Sequence, residues 1–203
     1  MTLLAVMLNL VALAPAGLAT AAATGHSFVL RSPDFAAGRQ IPEEFVLNSD
    51  GCTGHNVSPA LKWSGAPAGA KSFVITLFDE DEHGTPSGWW HWIVYDIPAT
   101  STELARGAGT LDGGILPKGA RQGRSDDGTE KYSGPCPDIS DPPHRYLFTI
   151  YALKIDKLPV AASSSGAMVT WTVREYTIAK ATLVARHRHI GLRRLESRSG
   201  EGH

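Results

Sequence analysis

The stretch Lys71 to Phe78, KSFVITLF, is apolar almost without interruption and ends abruptly in the charged run Asp79 to His83, DEDEH. A short, nearly continuous apolar run is the pattern of a strand buried on both faces. Two further strong strand signals lie beyond it. Trp90 to Tyr95, WHWIVY, is closed by Asp96-Ile97-Pro98, and Tyr146 to Leu153 reads YLFTIYAL. A shorter one, Ser27 to Leu30, ends before Ser32-Pro33. Between the second and third strong strands runs a polar segment, Thr100 to Ser133, rich in Gly, Asp and Arg. A connection of that length in a compact domain is usually functional or mobile. Towards the C-terminus the period changes. Thr172-Val-Arg-Glu175 reads as a capping box, and Val173, Tyr176, Ile178, Ala179, Leu183 and Val184 outline a helical apolar face. Arg186, His187, Arg188 and His189 would crowd the last turn of that helix, where cations complement its dipole. Strands first and one late helix predict a mostly β body, a sandwich with a helix packed at an end or on a face.

Length and composition set the frame. The 203 residues fit one domain plus a targeting segment. With 19 basic and 20 acidic side chains neither sign dominates, so nothing points to nucleic acid. The 21 Gly and 13 Pro, with only 19% charged residues, suit a loop-rich β protein. Residues 1–23 hold no charged side chain. The apolar runs Leu3 to Leu8 and Leu10 to Leu13 are followed by small residues, with Ala19-Thr20-Ala21 and Ala21-Ala22-Ala23 as A-x-A cleavage signals. Asn9, Pro15 and Gly17 interrupt the run, which favours a cleaved export signal over a membrane anchor, although the usual basic n-region is missing. The expected organisation is a leader at 1–23, one domain at 24–190 and a frayed tail at 191–203, in a secreted or periplasmic protein. In that setting a Cys52–Cys136 disulfide closing roughly 85 residues would be worth a few kcal/mol. Two buried free thiols are the alternative reading.

Two clusters carry chemistry. Asp79 ends a buried strand, so its carboxyl group lies at the rim of the core. On the next strand simple alternation puts His91 with Ile93 and Tyr95 on one face, and Trp90, Trp92 and Val94 on the other. A histidine in so apolar a strand needs a partner, and an anion or a carboxylate is a natural one. The second cluster is Gly134-Pro-Cys-Pro137, a stiff wall, followed by His144 and Tyr146 on one strand face, with Arg145 pointing away as an ion-pair partner. Asp81, His83 and His91 lack a paired metal-ligand spacing, and neither a nucleophile elbow nor a phosphate-binding glycine loop is present, so no metal, cofactor or catalytic residue is expected.

Taken in order, Asn56-Val-Ser58-Pro59-Ala-Leu-Lys-Trp63, Asp79-x-Asp81, Gly88-Trp-Trp-His91 through Pro98, Gly134-Pro-Cys-Pro137 and His144-Arg-Tyr146 through Leu153 resemble the phosphatidylethanolamine-binding protein family. The variant resembles its bacterial, Raf-kinase-inhibitor-like branch. The likeness covers roughly Phe28 to Val184. It implies an antiparallel β-sandwich with peripheral and C-terminal helices. It also implies a small pocket for phosphate-like or carboxylate anions or phospholipid headgroups, formed by Asp79, His91, Gly134, Pro135, Pro137, His144 and Tyr146. Imidazoles and a phenol would donate to the anion, and Asp79 would orient a histidine. The chain departs from the family pattern at Glu80, Asp96, Asp138 and Ala185 to His189, and extra acid at the pocket mouth would weaken anion binding. The expected function is an exported, non-enzymatic binding protein that modulates a partner protein, with a homodimer implied by resemblance alone. Two alternatives stand beside it: a hydrolase using Asp79, His91 and His144, and a secreted inhibitor presenting the 100–133 segment.

Overall fold

A computed structural model of the chain describes residues 27–85, 87–110 and 115–189; the expected leader and tail lie outside them. The run that opens the sequence argument is β3, Ser72–Asp79, and only Phe78 of its eight residues is not fully buried. It lies at the centre of a five-stranded antiparallel sheet, between β4 (Trp89–Pro98) and β7 (His144–Leu153). The sheet is completed by β6 (Arg121–Gln122) beside β4 and β8 (Thr177–His187) beside β7. A smaller sheet in the order β1 (Val29–Arg31), β2 (Leu61–Ser64), β5 (Glu103–Leu104) faces it.

Alternation along β3 supplies both faces of the large sheet. Phe73, Ile75 and Leu77 pack with Leu30, Leu61, Trp63 and Leu104 of the small sheet, while Val74 turns to the other side. There it meets Ile93, Tyr95 and Leu153, covered by Val169 and Val173 of α1 (Gly166–Tyr176). Each such fully buried side chain contributes about 1.5–3 kcal/mol, so a continuous apolar run is what a strand in this position requires. No helix among the described residues is long and apolar enough to cross a membrane.

The C-terminal helix is real but placed differently from the sequence reading. Its cap is Ser165, whose hydroxyl accepts the Met168 N–H at 3.3 Å, not Thr172. It ends at Tyr176, and the residues assigned to its second half form β8. β8 pairs with β7 along its length, from Leu153 opposite Thr177 to His144 opposite His187. Its exposure alternates residue by residue, with Leu183, Ala185 and His187 buried. The competing factor is tertiary: without β8 the ten residues of β7 would leave a row of backbone groups unpaired. The Arg186–His189 run therefore complements no helix dipole. Arg186 instead exchanges backbone hydrogen bonds with Arg39 and Ile41. The long polar segment also has structure, holding β5, β6 and several hydrogen-bonded turns.

Candidate functional site

At the C-terminal end of β3 the chain leaves the core on a carboxyl group. Asp79 is opposite Trp89 on β4 and Tyr146 on β7, and it is 1% exposed. Its Oδ2 accepts a hydrogen bond from His144 Nδ1 at 2.8 Å, and its Oδ1 accepts the Asp81 N–H at 2.9 Å. Two residues on, Asp81 faces outward and takes a two-pronged bond from Arg145, Nε and Nη2 donating at 2.8 and 2.7 Å. The Arg145 guanidinium holds the Asp81 carboxyl below its ordinary range. Arg145 Nη1 also lies 2.8 Å from Glu80 Oε1. Asp79-x-Asp81 and His144-Arg145 thus interlock, the inner acid on the histidine and the outer acid on the arginine.

His91 reaches the same place by an irregularity. The β3–β4 register shifts between Leu77 and Phe78, so that Phe78 faces Trp90, Leu77 faces Trp92, and His91 is the extra residue of a bulge. The bulge overturns the simple alternation. Trp92 and Val94 join the core between the sheets, Ile93 and Tyr95 join the helix-side cluster with Trp90 beside them, and His91 turns towards Tyr146 with ring centroids 5.4 Å apart. Its Nδ1 lies 2.9 Å from the Ser133 carbonyl oxygen, which only accepts, so Nδ1 carries the proton. Burial pushes the His91 pKa down, against the opposing pull of Asp79. The ring is therefore neutral near pH 7 and Nε2 offers a lone pair. Tyr146 Oη is buried beside the Asp79 carboxyl group but has no well-aligned hydrogen-bond partner among the described residues. Burial, then the neighbouring Asp79 charge and hydrogen bonding towards it, raises its pKa.

The wall is two loops stitched together. Gly134 N–H donates to Asn56 Oδ1 at 2.8 Å, Leu47 N–H donates to the Pro135 carbonyl at 3.1 Å, and Tyr132 Oη donates to the Phe45 carbonyl at 2.8 Å. A Cβ on Gly134 would fall 2.3 Å from that same Phe45 oxygen, so only glycine allows this approach. Cys52 and Cys136 form a disulfide across the two loops. They enclose one side of an open cavity of about 360 Å³. Asp79, His91, Gly134, Pro137 and Tyr146 line it; His144, buried and bonded to Asp79, and Pro135 are not among its lining residues.

A family model described as phosphatidylethanolamine-binding protein matches residues 31–188. The protein YbcL of Escherichia coli (strain K12) is 45% identical over 164 residues, covering 81% of this chain and 89% of that one. YbhB of the same organism is 41% identical, covering 77% and 97%. The chain belongs to the phosphatidylethanolamine-binding protein family. The crystal structure of E. coli YbcL, titled as a new member of the mammalian family, superposes with a TM-score of 0.78 at 44% identity, covering 80% of this chain and 99% of that one. A more distant relative, LppC of Mycobacterium tuberculosis (strain ATCC 25618 / H37Rv), is named a putative lipoprotein and is 32% identical, covering 81% of this chain and 74% of that one.

Five further residues, Asp50, Glu82, Trp89, Asp127 and Ser133, line the cavity without having been assigned to it; Glu82 and Trp89 stand in the motifs already quoted, whereas Asp50, Asp127 and Ser133 carry no signal in the sequence. Glu82 belongs to an acidic run that reads as a solvated turn, and Asp127 to a segment without period. Burial works to raise the Asp127 pKa, but hydrogen bonds from Ser125, Thr129 and Ser133 bring it below its usual value. The acids that depart from the family pattern are spent elsewhere: Asp96 on Arg121 at 2.8 Å and on the Leu158 N–H, Glu80 on Arg145, and Asp138 on the Ser140 N–H and hydroxyl. The cavity is acidic all the same. Asp50, Asp79, Glu82 and Asp127 line it without a lysine or arginine among the described lining residues. Like charges about 5 Å apart repel by about 3 kcal/mol at an effective dielectric near 20. One ligand atom each from Asp79, Glu82 and His144 lie within 4.8 Å of one another. Cys52, Cys136 and His189 are similarly close, but there both sulfurs are used in the disulfide.

Proposed function

We propose that this is an exported, non-enzymatic binding protein whose cavity takes a small zwitterionic headgroup, phosphate or carboxylate at one end and ammonium at the other. The observation that carries the reading is Tyr146 Oη, a buried donor on the wall of a cavity that the carboxyl groups of Asp50, Asp79, Glu82 and Asp127 also line. A phosphate oxygen would satisfy that donor. An ammonium would answer the carboxyl groups at Asp50, Glu82 and Asp127, which a simple anion would meet as repulsion. The sequence reading made the histidines donors to an anion; with His91 neutral and its proton on Nδ1, an acceptor role at Nε2 fits better. The apolar leader, the Cys52–Cys136 disulfide and the lipoprotein relative support export. The hydrolase alternative needs Asp79 and His91 to act together. Asp79 is bonded to His144 and His91 to the Ser133 carbonyl, which favours the binding reading. Modulation of a partner protein would follow from occupancy of this cavity, with the 100–133 segment contributing Asp127 and Ser133 to its wall.

Calorimetric titration of the mature chain with phosphorylethanolamine, inorganic phosphate and ethanolamine tests this. Phosphorylethanolamine should saturate one site, about tenfold or more tighter than either half alone. Tyr146→Phe should weaken it about tenfold, the worth of one hydrogen bond to a charged group. Equal affinity for phosphate alone would remove the ammonium from the reading. No binding by the folded chain would remove the pocket.

A further inference from the structure

The two loops that wall the cavity are joined by one covalent bond, and a third side chain sits at that bond. Ser49 to Cys52 form a turn, closed by the Cys52 N–H donating to the Ser49 carbonyl at 2.9 Å, with Asp50 and Gly51 at φ of 54° and 89°. The turn presents the Cys52 sulfur to Cys136, whose own loop is stiffened by Pro135 and Pro137. His189 lies against the same turn: a Cβ on Gly51 would fall 3.7 Å from its Cε1. One ring nitrogen of His189 and the two sulfurs lie within 4.8 Å of one another. His189 follows β8, whose Arg186 is tied by backbone hydrogen bonds to Arg39 and Ile41, so three separate segments deliver the three side chains.

Cys52 is 7% exposed, whereas Cys136 is half-buried and lines the cavity. A small dithiol therefore reaches the Cys136 sulfur. Its thiolate forms a mixed disulfide with Cys136 and expels Cys52 as a thiolate; its second thiol then closes the reagent's own disulfide and releases Cys136. Two electrons and two protons pass from the dithiol to the protein. The freed sulfurs stay close, because the Leu47 N–H still bonds the Pro135 carbonyl and the Gly134 N–H still bonds Asn56 Oδ1. Tetrahedral zinc, with bonds of about 2.3 Å to sulfur and about 2.0 Å to nitrogen, needs its two sulfurs about 3.8 Å apart and the nitrogen about 3.5 Å from each. With the Cα atoms 6.0 Å apart, rotation about the Cα–Cβ bonds opens the sulfurs to that spacing. A nitrogen within 4.8 Å of both needs a shift of about 1 Å at most.

We propose that Cys52, Cys136 and His189 form a redox-gated site for a divalent cation of the zinc class, closed while the disulfide stands and opened when a dithiol reduces it. Two thiolates and an imidazole are a donor set that zinc takes, whereas magnesium and calcium favour oxygen. On binding, both thiol protons leave to solvent. The ion then holds the 45–56 loop to the 132–137 loop in place of the sulfur–sulfur bond, so the cavity wall is stapled in either redox state. The fourth position is open to water. The site is independent of what the cavity binds, so the headgroup reading can fail without it.

The test uses the full chain without an affinity tag, reduced with dithiothreitol, desalted without oxygen and compared with the oxidised chain. Zinc chloride should titrate one site per reduced chain, and cobalt chloride should give a thiolate-to-cobalt charge-transfer band that zinc removes. The oxidised chain should show no band and at least about hundredfold weaker zinc binding, since a disulfide offers no thiolate. His189→Ala leaves the disulfide able to form and should weaken zinc at least about tenfold, because even loss of a ligand's support costs that much. His83→Ala, an exposed histidine outside the set, should stay within about threefold. Zinc should also raise the melting temperature of the reduced chain and leave that of the oxidised chain unchanged. A disulfide that excess dithiothreitol leaves intact in the folded chain overturns the proposal at its first step. So does a reduced chain that binds no zinc, one that unfolds and is not refolded by zinc, or equal affinity in the oxidised chain. Unchanged affinity in His189→Ala overturns the donor set.

Discussion

Tyr146 keeps a hydroxyl in the core beside the Asp79 carboxyl group but without a well-aligned partner, and a buried unsatisfied polar group costs about 1–3 kcal/mol. Tyr146→Phe removes that cost at nearly constant shape. In the ligand-free protein it should raise the unfolding free energy by about 1 kcal/mol in a urea titration, although the same change weakens the ligand. A loss of stability instead would mean that the hydroxyl is satisfied in the apo protein. His91 makes the second prediction at this scale. Burial holds its pKa below the ordinary 6.5, while Asp79, Glu82 and Asp127 pull the other way. The unfolded chain therefore takes up the proton first. The contribution of His91 is complete above pH 6.5 and is lost as pH falls through the lower folded-state value. Unfolding free energy should drop between about pH 7 and pH 5, and less steeply in His91→Gln; part of the slope remains because burial also lowers the His187 pKa. Unchanged slopes would mean that His91 titrates as if exposed. Asp79, His91, His144 and Tyr146 were legible in the sequence because polar residues inside or at the ends of very apolar strands are conspicuous. The direction of His91 was not, since alternation assumes an unbroken ladder and the bulge breaks it. Glu82 and Asp127 were not legible either, because an acid in a loop looks the same whether it faces water or a cavity.

At the scale of elements, β3, β4 and β7 announce themselves because both faces of their sheet are covered, one by the small sheet and one by α1. The boundary between α1 and β8 does not. Val173, Tyr176, Ile178, Ala179, Leu183 and Val184 satisfy a helical spacing, and the same segment alternates well enough for a strand. What decides is the open edge of β7, a partner far away in the sequence. The two readings differ in where the helix begins, and this can be measured. Ser165→Ala removes the hydroxyl that accepts the Met168 N–H and should cost about 1 kcal/mol. Thr172→Ala and Glu175→Ala, which would destroy a cap at the expected place, should each stay within about 0.5 kcal/mol. A Thr172→Ala cost equal to that of Ser165→Ala would restore the helix read from the sequence.

For the whole molecule, the loops carrying Cys52 and Cys136 meet far from their own neighbours in the chain, 84 residues apart. Chain entropy assigns such a closure about 4–5 kcal/mol, because the unfolded ensemble loses freedom. The native contacts around it do not depend on the bond. Gly134 N–H to Asn56, Leu47 N–H to Pro135 and Tyr132 Oη to Phe45 would persist in a reduced chain. Cys136 is itself part of the cavity wall, so loosening is felt there first. The double variant Cys52→Ala/Cys136→Ala should therefore remain folded at low temperature, lose about 2–5 kcal/mol of stability, and keep a native-like spectrum. Amide exchange should accelerate in 45–56 and 132–137 well before it does in β3 or β7, since local opening draws on the least buried segments. Phosphorylethanolamine affinity should fall with that local loss, because a looser wall must be ordered again on binding. Uniformly faster exchange across β3, β7 and the loops would show instead that the bond supports only the global fold, and that the cavity wall holds its shape through its hydrogen bonds alone.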